Sequence, residues 1–314
     1  VIRRALKEFF FLSRRTSPEQ QRLLSERSLT TPDKQSLLNS VQSAGVIGLI
    51  AGNGTFPLRF MESAQQQGCR VVAVAHENET IESIADLCEE LTWIRVGQLG
   101  KIISTFREAG VRYAAMAGGI NRVKHFGDVK LDSRGAKLML KLRSTKDDVI
   151  MRGIADELLT EGIEVVDCTL FLPQCLAQKG LLAGPNLSDD EWADIGVGVE
   201  AIKAMSPQDI GQVVVVREGV IVAVEAVEGT DATVLRGGNL AGPGAVVVKF
   251  AKTTQDMRFD VPTVGLQTVK SMEEVGIRVL ALEAGRSLII DKEEVFNAAQ
   301  KAGISIVGCD PLVE

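Results

Sequence analysis

The chain has 314 residues with 45% apolar and 24% charged side chains, the balance of a globular protein with room for about two domains at roughly 100–200 residues each. A formal net charge of −6 argues against a nucleic-acid binder, whose footprint is basic. No apolar run reaches the ~20 residues that a membrane-spanning helix needs, and five irregularly spaced cysteines (Cys69, Cys88, Cys168, Cys175, Cys309) read as buried thiols of a reducing cytoplasm.

Residues 1–44 stand apart as an Arg- and Ser-rich arm in which Arg3, Arg4, Lys7, Arg14 and Arg15 flank Phe9, Phe10 and Phe11. The arm reads either as a disordered extension or as a peripheral contact with an anionic membrane surface. From Gly45 the pattern becomes regular. Strand patterns at 45–51, 70–75, 92–96 and 112–120 alternate with helical patterns at 57–67, 79–91 and 98–109. Two more helices are predicted near 133–142 and 146–160, then a short strand at 163–167. Such alternation marks βαβ units and a parallel sheet. We therefore expect an α/β chain with a Rossmann-like parallel-sheet domain over 45–177.

Residues 178–192, "GLLAGPNLSDDEW" with its flanks, are rich in turn formers and read as a connection. The second domain, 178–314, is expected to be mixed α/β and β-rich. It opens with a helix at 191–205. Two β-branched runs then flank Glu218-Gly219, a hairpin signal. Strands are predicted at 245–251, 258–262, 277–283 and 287–290. A helix capped by Asp291 runs to Gly303, and "ISIVG" is the last strand.

Elimination narrows the chemistry. The sequence holds two histidines, His76 and His125, and no CxxC, HExxH, GxSxG or P-loop motif. A Cys/His zinc site and a Ser-His-Asp hydrolase are therefore poor fits. Carboxylates, lysines, arginines and backbone amides remain, and carboxylate oxygens suit a hard cation, Mg²⁺ or Mn²⁺.

The stretch "LIAGNGTFPLRF" (49–60) reads as strand, Gly52-Asn53-Gly54, then a helix with Pro57 in its first turn, where a missing N–H costs nothing. Proline replaces the third glycine of a dinucleotide fingerprint, and Glu77 lies near the distance of its ribose-binding acid. The turn is open to three readings: a nicotinamide site, a site for another phosphate-bearing or sugar ligand using the amides of Asn53 to Phe56, or a purely structural turn. "MAGGINR" (116–122) adds Gly118 and Gly119 at the carboxyl end of a strand, the edge where open α/β sheets bind ligands.

The denser constellation is in the second half. "VEAVEGTDA" places Glu225, Glu228 and Asp231 at and after a strand end. "KFAKTTQDMRFDVPTVG" supplies Lys249, Lys252, Gln255, Asp256, Arg258, Asp260 and Thr263. In an extended chain, Asp256, Arg258 and Asp260 share one face, with Met257, Phe259 and Val261 on the other. The two carboxylates would then lie ~13 Å apart, too far for one ion. A metal would need one of them plus a second segment, with Asp231 the candidate.

In order, "GLIAGNGTFPLRF", "MAGGINR", "VEAVEGTDATVLR", "KFAKTTQDMRFDVPTVG" and "LALEAGRSLIID" resemble the LpxI family of UDP-2,3-diacylglucosamine pyrophosphatases, over roughly residues 45–308. The resemblance implies Mg²⁺-dependent hydrolysis of that substrate to UMP and 2,3-diacylglucosamine 1-phosphate (lipid X) in lipid A biosynthesis. It also implies a ligand held between the two domains and cytoplasmic work at the inner membrane. It carries an essential aspartate onto Asp256, with Asp260 and Asp231 as alternatives and Asp256 and Asp231 as metal ligands. Gly52, Asn53, Gly54, Gly118, Gly119, Thr230, Lys249, Lys252, Gln255, Arg258 and Thr263 are the expected substrate contacts. Asn53 stands where a third consecutive glycine is common. The rival expectations are a nicotinamide-dependent oxidoreductase and a non-catalytic nucleotide-sugar or lipid-binding protein.

Overall fold

The computed structural model describes residues 33–120, 129–142, 147–253 and 255–310. The arm's aromatic and basic cluster, Asn121, Arg122 and His125 lie outside the described residues. Helix α1 (Lys34–Ala44) leads into β1, and the chain from Val41 onward forms one compact unit. No described helix is long and apolar enough to cross a membrane.

The first lobe contains β1 (Val46–Ala51), α2 (Phe56–Gln66), β2 (Arg70–His76), β3 (Glu90–Ile94), α3 (Leu99–Glu108), β4 (Tyr113–Ala117), α4 (Ser133–Leu142), α5 (Asp147–Thr160) and β5 (Glu164–Val165). Its five strands are parallel in the order β3-β2-β1-β4-β5. The order reverses between β1 and β4, so their carboxyl ends bound the crevice where such sheets take ligands. Strands β1 and β2 are buried almost throughout, as a sheet covered on both faces requires. Val46, Ile50, Val72 and Val74 pack with Ile102, Ile103 and Phe106 of α3 and Leu158 of α5.

The second lobe contains β6 (Gly180–Ala183), α6 (Asp189–Met205), β7 (Val213–Arg217), β8 (Val220–Val224), α7 (Thr230–Ala241), β9 (Val246–Lys249), β10 (Thr263–Val264), α8 (Leu266–Glu274), β11 (Val279–Glu283), β12 (Leu288–Ile289), α9 (Lys292–Ala302) and β13 (Ser305–Cys309). Six strands make a mixed sheet in the order β6-β13-β11-β9-β7-β8, and β10 pairs with β12. The period of two divides the core. Val213, Val215, Val247, Leu280 and Ile306 face α7, α8 and α9. Val214, Val216, Val246, Val248 and Val307 face Ile195, Val199 and Ile202 of α6. At the hairpin, Glu218 and Gly219 have φ of 51° and 76°, the two positive values a type I′ turn needs.

Four expectations fail locally. The helix expected at 79–91 is only a 3₁₀ turn, Glu82–Asp86, because pairing with β2 draws the chain into β3 from Glu90. Within the expected connection, Gly180–Ala183 is an edge strand antiparallel to β13, too short to show a period. Residues 258–262 form no strand: Phe259 N and Asp260 N both donate to Asp256 O at 3.2 Å, closing a helical turn. Helices α7 and α8 were not foreseen. In α7, a Cβ at Gly237 would strike Val215, so the helix needs a bare position there to reach the sheet.

A close backbone approach joins the ends of β1 and β4. Gly52 N donates to Ala117 O and Asn53 N to Gly119 O, both at 2.8 Å. Gly118 has φ of 82°, and a Cβ there would overlap the Asn53 carbonyl oxygen. Gly118→Ala is expected to lower unfolding free energy by about 2 kcal/mol or more, from positive φ and overlap together. Gly110→Ala, with φ of 71° and open space around it, should lose only about 1 kcal/mol. Urea unfolding of both variants checks the difference; equal losses would show that the overlap is relieved at no cost.

Candidate functional site

The glycine turn after β1 is built as a staple. Asn53 Oδ1 accepts from Gly119 N at 3.2 Å, and Asn53 Nδ2 donates to Glu79 Oε2 at 2.9 Å. The side chain thus ties the β1 turn to the β4 turn and to a buried carboxylate. His76 Nδ1 and Thr80 Oγ both donate to the Ala51 carbonyl, at 2.9 and 2.8 Å. His76, Glu79 and Thr80 are all buried. The expectation that the amides of Asn53 to Phe56 receive an anion is corrected at its first member, since Asn53 N is already bound to Gly119. Gly54 is exposed at the tip. Glu77 was the expected ribose acid, but its carboxylate pairs with Arg95 at 3.1 Å. Glu79 is the acid that meets the turn.

In the second lobe, Lys249 closes β9 and is 4% exposed. Its Nζ donates to Thr230 Oγ and to the Thr263 carbonyl, both at 2.8 Å. Burial pushes its pKa down from the ordinary 10.5, opposed by the negative charges of Glu225, Asp231 and Asp260. Thr230, the first residue of α7, also donates to Glu225 Oε1 at 3.2 Å, while Glu225 Oε2 accepts from Gln212 N at 2.9 Å. Asp231 Oδ1 accepts from Thr268 Oγ of α8 at 3.0 Å. The structure therefore gathers Thr230, Asp231, Lys249, Asp260 and Thr263, with Glu225 beneath them.

The remaining expected contacts belong to residues 251–262. Lys252 sends Nζ to Asp209 Oδ1 at 2.5 Å. Gln255 donates through Nε2 to Gln212 Oε1 and to the Asp260 carbonyl, and accepts from Lys252 N through Oε1. It serves the segment's own shape. Arg258 grips Asp256 with two bonds, Nε to Oδ1 at 3.0 Å and Nη2 to Oδ2 at 2.8 Å. Burial raises the Asp256 pKa, but the hydrogen bonds and charge of Arg258 outweigh it and hold the carboxyl below the usual range. The extended-chain reading of Asp256, Arg258 and Asp260 as one face ~13 Å long is overturned: the turn folds Asp260 back on the Asp256 carbonyl.

Sequence reasoning missed His76, Glu79, Asp209, Gln212 and Glu283. Glu283, 2% exposed, ends β11 and accepts from Ala251 N at 2.9 Å. A signal existed for two of them: His76 and Glu283, like Lys249, are ionisable residues that close a strand after an apolar run.

Among the described residues, no three His, Cys, Asp or Glu side chains come together as a metal cage. Mg²⁺ does not use such a cage; one or two carboxylates plus substrate phosphates serve it. The donors here are all oxygen. Asp231 has Oδ1 on Thr268, and Oδ2 carries no hydrogen bond among the described residues. The residues fit that kind of site. Chemically, a buried ammonium with a hydroxyl suits phosphate oxygens, and the carboxylates suit a hard cation or a water.

Two family models match the chain, the LpxI N-terminal domain over residues 46–175 and the LpxI C-terminal domain over residues 178–307. The UDP-2,3-diacylglucosamine pyrophosphatase LpxI of Caulobacter vibrioides is 31% identical over 278 residues, covering 84% of this chain and 98% of the relative. Among solved structures, the biotin carboxylase subunit of pyruvate carboxylase is 14% identical with a TM-score of 0.24; the match covers 62% of this chain and 41% of that one. The biotin carboxylase domain of the Hydrogenobacter thermophilus 2-oxoglutarate carboxylase is 16% identical with a TM-score of 0.20 and the same coverages.

The depressed pKa of Lys249 makes a signed prediction. Well below its folded pKa both folded and unfolded states hold the proton, and the cost of burying the charge is present in full. As pH rises through the folded pKa toward 10.5, the folded state releases its proton first, so that cost is relieved. The unfolding free energy of the natural protein minus that of Lys249→Met should therefore become more favourable with rising alkaline pH. Urea titrations across that range check it, and a flat difference would refute it.

Proposed function

The chain belongs to the LpxI family, and from that membership we propose that it hydrolyses the pyrophosphate of UDP-2,3-diacylglucosamine to UMP and 2,3-diacylglucosamine 1-phosphate, a step of lipid A assembly. The observation that carries the reading is the buried Lys249 ammonium, bonded to Thr230 and set among Glu225, Asp231 and Asp260. Breaking a phosphoanhydride requires positive charge on oxygens that gain negative charge, and a placed water.

Lys249 and Thr230 meet a non-bridging oxygen of the diphosphate. A divalent cation, Mg²⁺ or Mn²⁺, supplies Lewis-acid stabilisation and lowers the pKa of a bound water. Asp231 and Asp256 would hold it, with Asp260 the alternative partner. The aspartate left uncommitted orients the attacking water and takes its proton. Arg258, which now grips Asp256, exchanges that carboxylate for a phosphate oxygen as substrate enters. Gly52, Gly54, Gly118 and Gly119 leave room for the nucleotide at the carboxyl edge of the first sheet, and Asn53 fixes the turn. The two acyl chains need an apolar trough, which a cleft between the lobes would supply. An acylated substrate brings the protein to the cytoplasmic face of the inner membrane.

The test is UMP release from UDP-2,3-diacylglucosamine with Mg²⁺ and with EDTA. Turnover should need the metal. Asp256→Asn should lower kcat by about 10²-fold or more with the melting temperature within a few degrees. Asp231→Asn and Asp260→Asn run in parallel. No UMP under any metal condition refutes the activity; full activity in Asp256→Asn moves the role to whichever of the other two is inactive.

A further inference from the structure

The residues that follow β9 belong to the second lobe by sequence but are seated in both. Glu283 Oε2 accepts from Ala251 N at 2.9 Å, Asp209 pairs with Lys252, and Gln212 accepts from Gln255, so the outgoing end is fixed to the second lobe. The returning end is fixed there too: Leu288 N donates to Pro262 O at 2.8 Å, and β10 runs beside β12. The middle goes elsewhere. Phe259, 7% exposed, is a member of the apolar cluster of the first lobe, with Val46, Ile50, Leu138, Ala155, Leu158 and Val165. Cys168 Sγ donates to the Met257 carbonyl at 3.6 Å. The Arg258 guanidinium lies 4.8 Å from the Phe259 ring centroid. Arg152 bears electrostatically on Asp256, and Asp156 and Glu164 on Arg258.

Asp256 and Asp260 thus stand three residues before and one residue after a side chain locked into the opposite lobe. One helical turn connects all three, because Phe259 N and Asp260 N share the Asp256 carbonyl. The ring and both carboxylates are thus carried by one short piece of hydrogen-bonded backbone. Asp260 in turn acts on Lys249, whose ammonium belongs to the second sheet.

We propose that Phe259 is a positioning residue: its seat in the first-lobe core fixes the turn that carries Asp256 and sets Asp260 against Lys249, so cleavage proceeds only when the two lobes are engaged through this ring. The inference rests on the hydrolase reading for its rate effect, but its structural half is independent of it.

Three variants test it: Phe259→Ala, Phe259→Leu, and Val295→Ala as a control. Val295 is fully buried on α9, in a cluster of the second lobe that does not include Phe259. All assays run well below the lowest melting temperature. Phe259→Ala is expected to lower kcat by about 10²-fold, the scale of a small misplacement of reacting groups, with a far smaller change in KM. Leucine refills most of the volume and restores most of the rate. Val295→Ala loses stability but keeps kcat. Parallel loss in Phe259→Ala and Val295→Ala, or an unchanged kcat in Phe259→Ala, overturns the proposal. Amide hydrogen exchange is read on the same proteins without substrate. The amides of Phe259 and Asp260 should exchange faster in Phe259→Ala than in Val295→Ala, and equal exchange also overturns it. If the natural protein releases no UMP while the exchange difference appears, the hydrolase reading fails and the positioning of the turn stands.

Discussion

An ammonium 4% exposed at the end of a strand must find partners from within the protein, because an unpaired charge in such a place costs several kcal/mol. Lys249 finds them in four separate pieces of chain: the start of α7 through Thr230, the start of β10 through the Thr263 carbonyl, the residue after β8 through Glu225, and residue 260 through its charge. The requirement therefore draws together elements the sheet ladder alone would leave apart. It extends one step further, since Asp231 also accepts from Thr268 and so places α8 relative to α7. Burial and the surrounding carboxylates act on this amine in opposite directions. An incoming phosphate would therefore join a group already balanced between solvent loss and negative charge.

The carboxyl edge of the second sheet is where this happens, and topology explains why. Strands β9 and β11 are parallel, and β8 runs in their direction because two antiparallel pairings relate it to β9 through β7. The ends of β8, β9 and β11 therefore fall on one edge. Glu225, Lys249 and Glu283 follow or close those three strands. Within the strands, valines and leucines divide cleanly between the two core faces. Ionisable residues begin where the hydrogen-bond ladder stops. Along each strand, stability and chemistry occupy successive positions.

This edge was partly legible in the sequence. The two β-branched runs on either side of Glu218-Gly219 pointed to β7, β8 and the turn between them, and the apolar run at 245–251 pointed to β9. Lys249 and Thr263 stood out because charged and turn-forming residues crowd 249–265. What could not be read was the path between them. The alternation of Asp256, Met257, Arg258, Phe259 and Asp260 fits a strand and a single turn equally well over so few residues, and a contact with the other lobe decided for the turn. Glu283 and Glu79 were hidden for a related reason: one ended a predicted strand and the other opened a predicted helix, and only the fold shows that each is buried against a backbone N–H or an amide side chain. Within α7, Gly237 meets Val215 of the sheet and Gly238 meets Val275 and Ile277, contacts that only the fold reveals.

The first lobe solves a different problem at its own carboxyl edge. Two glycine-bearing turns approach so closely that Gly52 and Gly118 each exclude a Cβ, and the ladder continues past the strands through Asn53 and Gly119. A third consecutive glycine at residue 53 would keep the backbone bonds but lose both side-chain bonds, to Gly119 N and to Glu79. Asparagine thus exchanges backbone freedom for a fixed turn, and Glu79, itself buried, accepts from that amide. The two lobes arrive at rigidity by opposite means: close backbone approach with one amide staple in the first, a network of charges around one amine in the second. Residues 251–262 join them. They are hydrogen-bonded to the network at both ends and hold an aromatic ring in the first lobe's core, so the geometry of the charged edge depends on packing contributed by the other sheet.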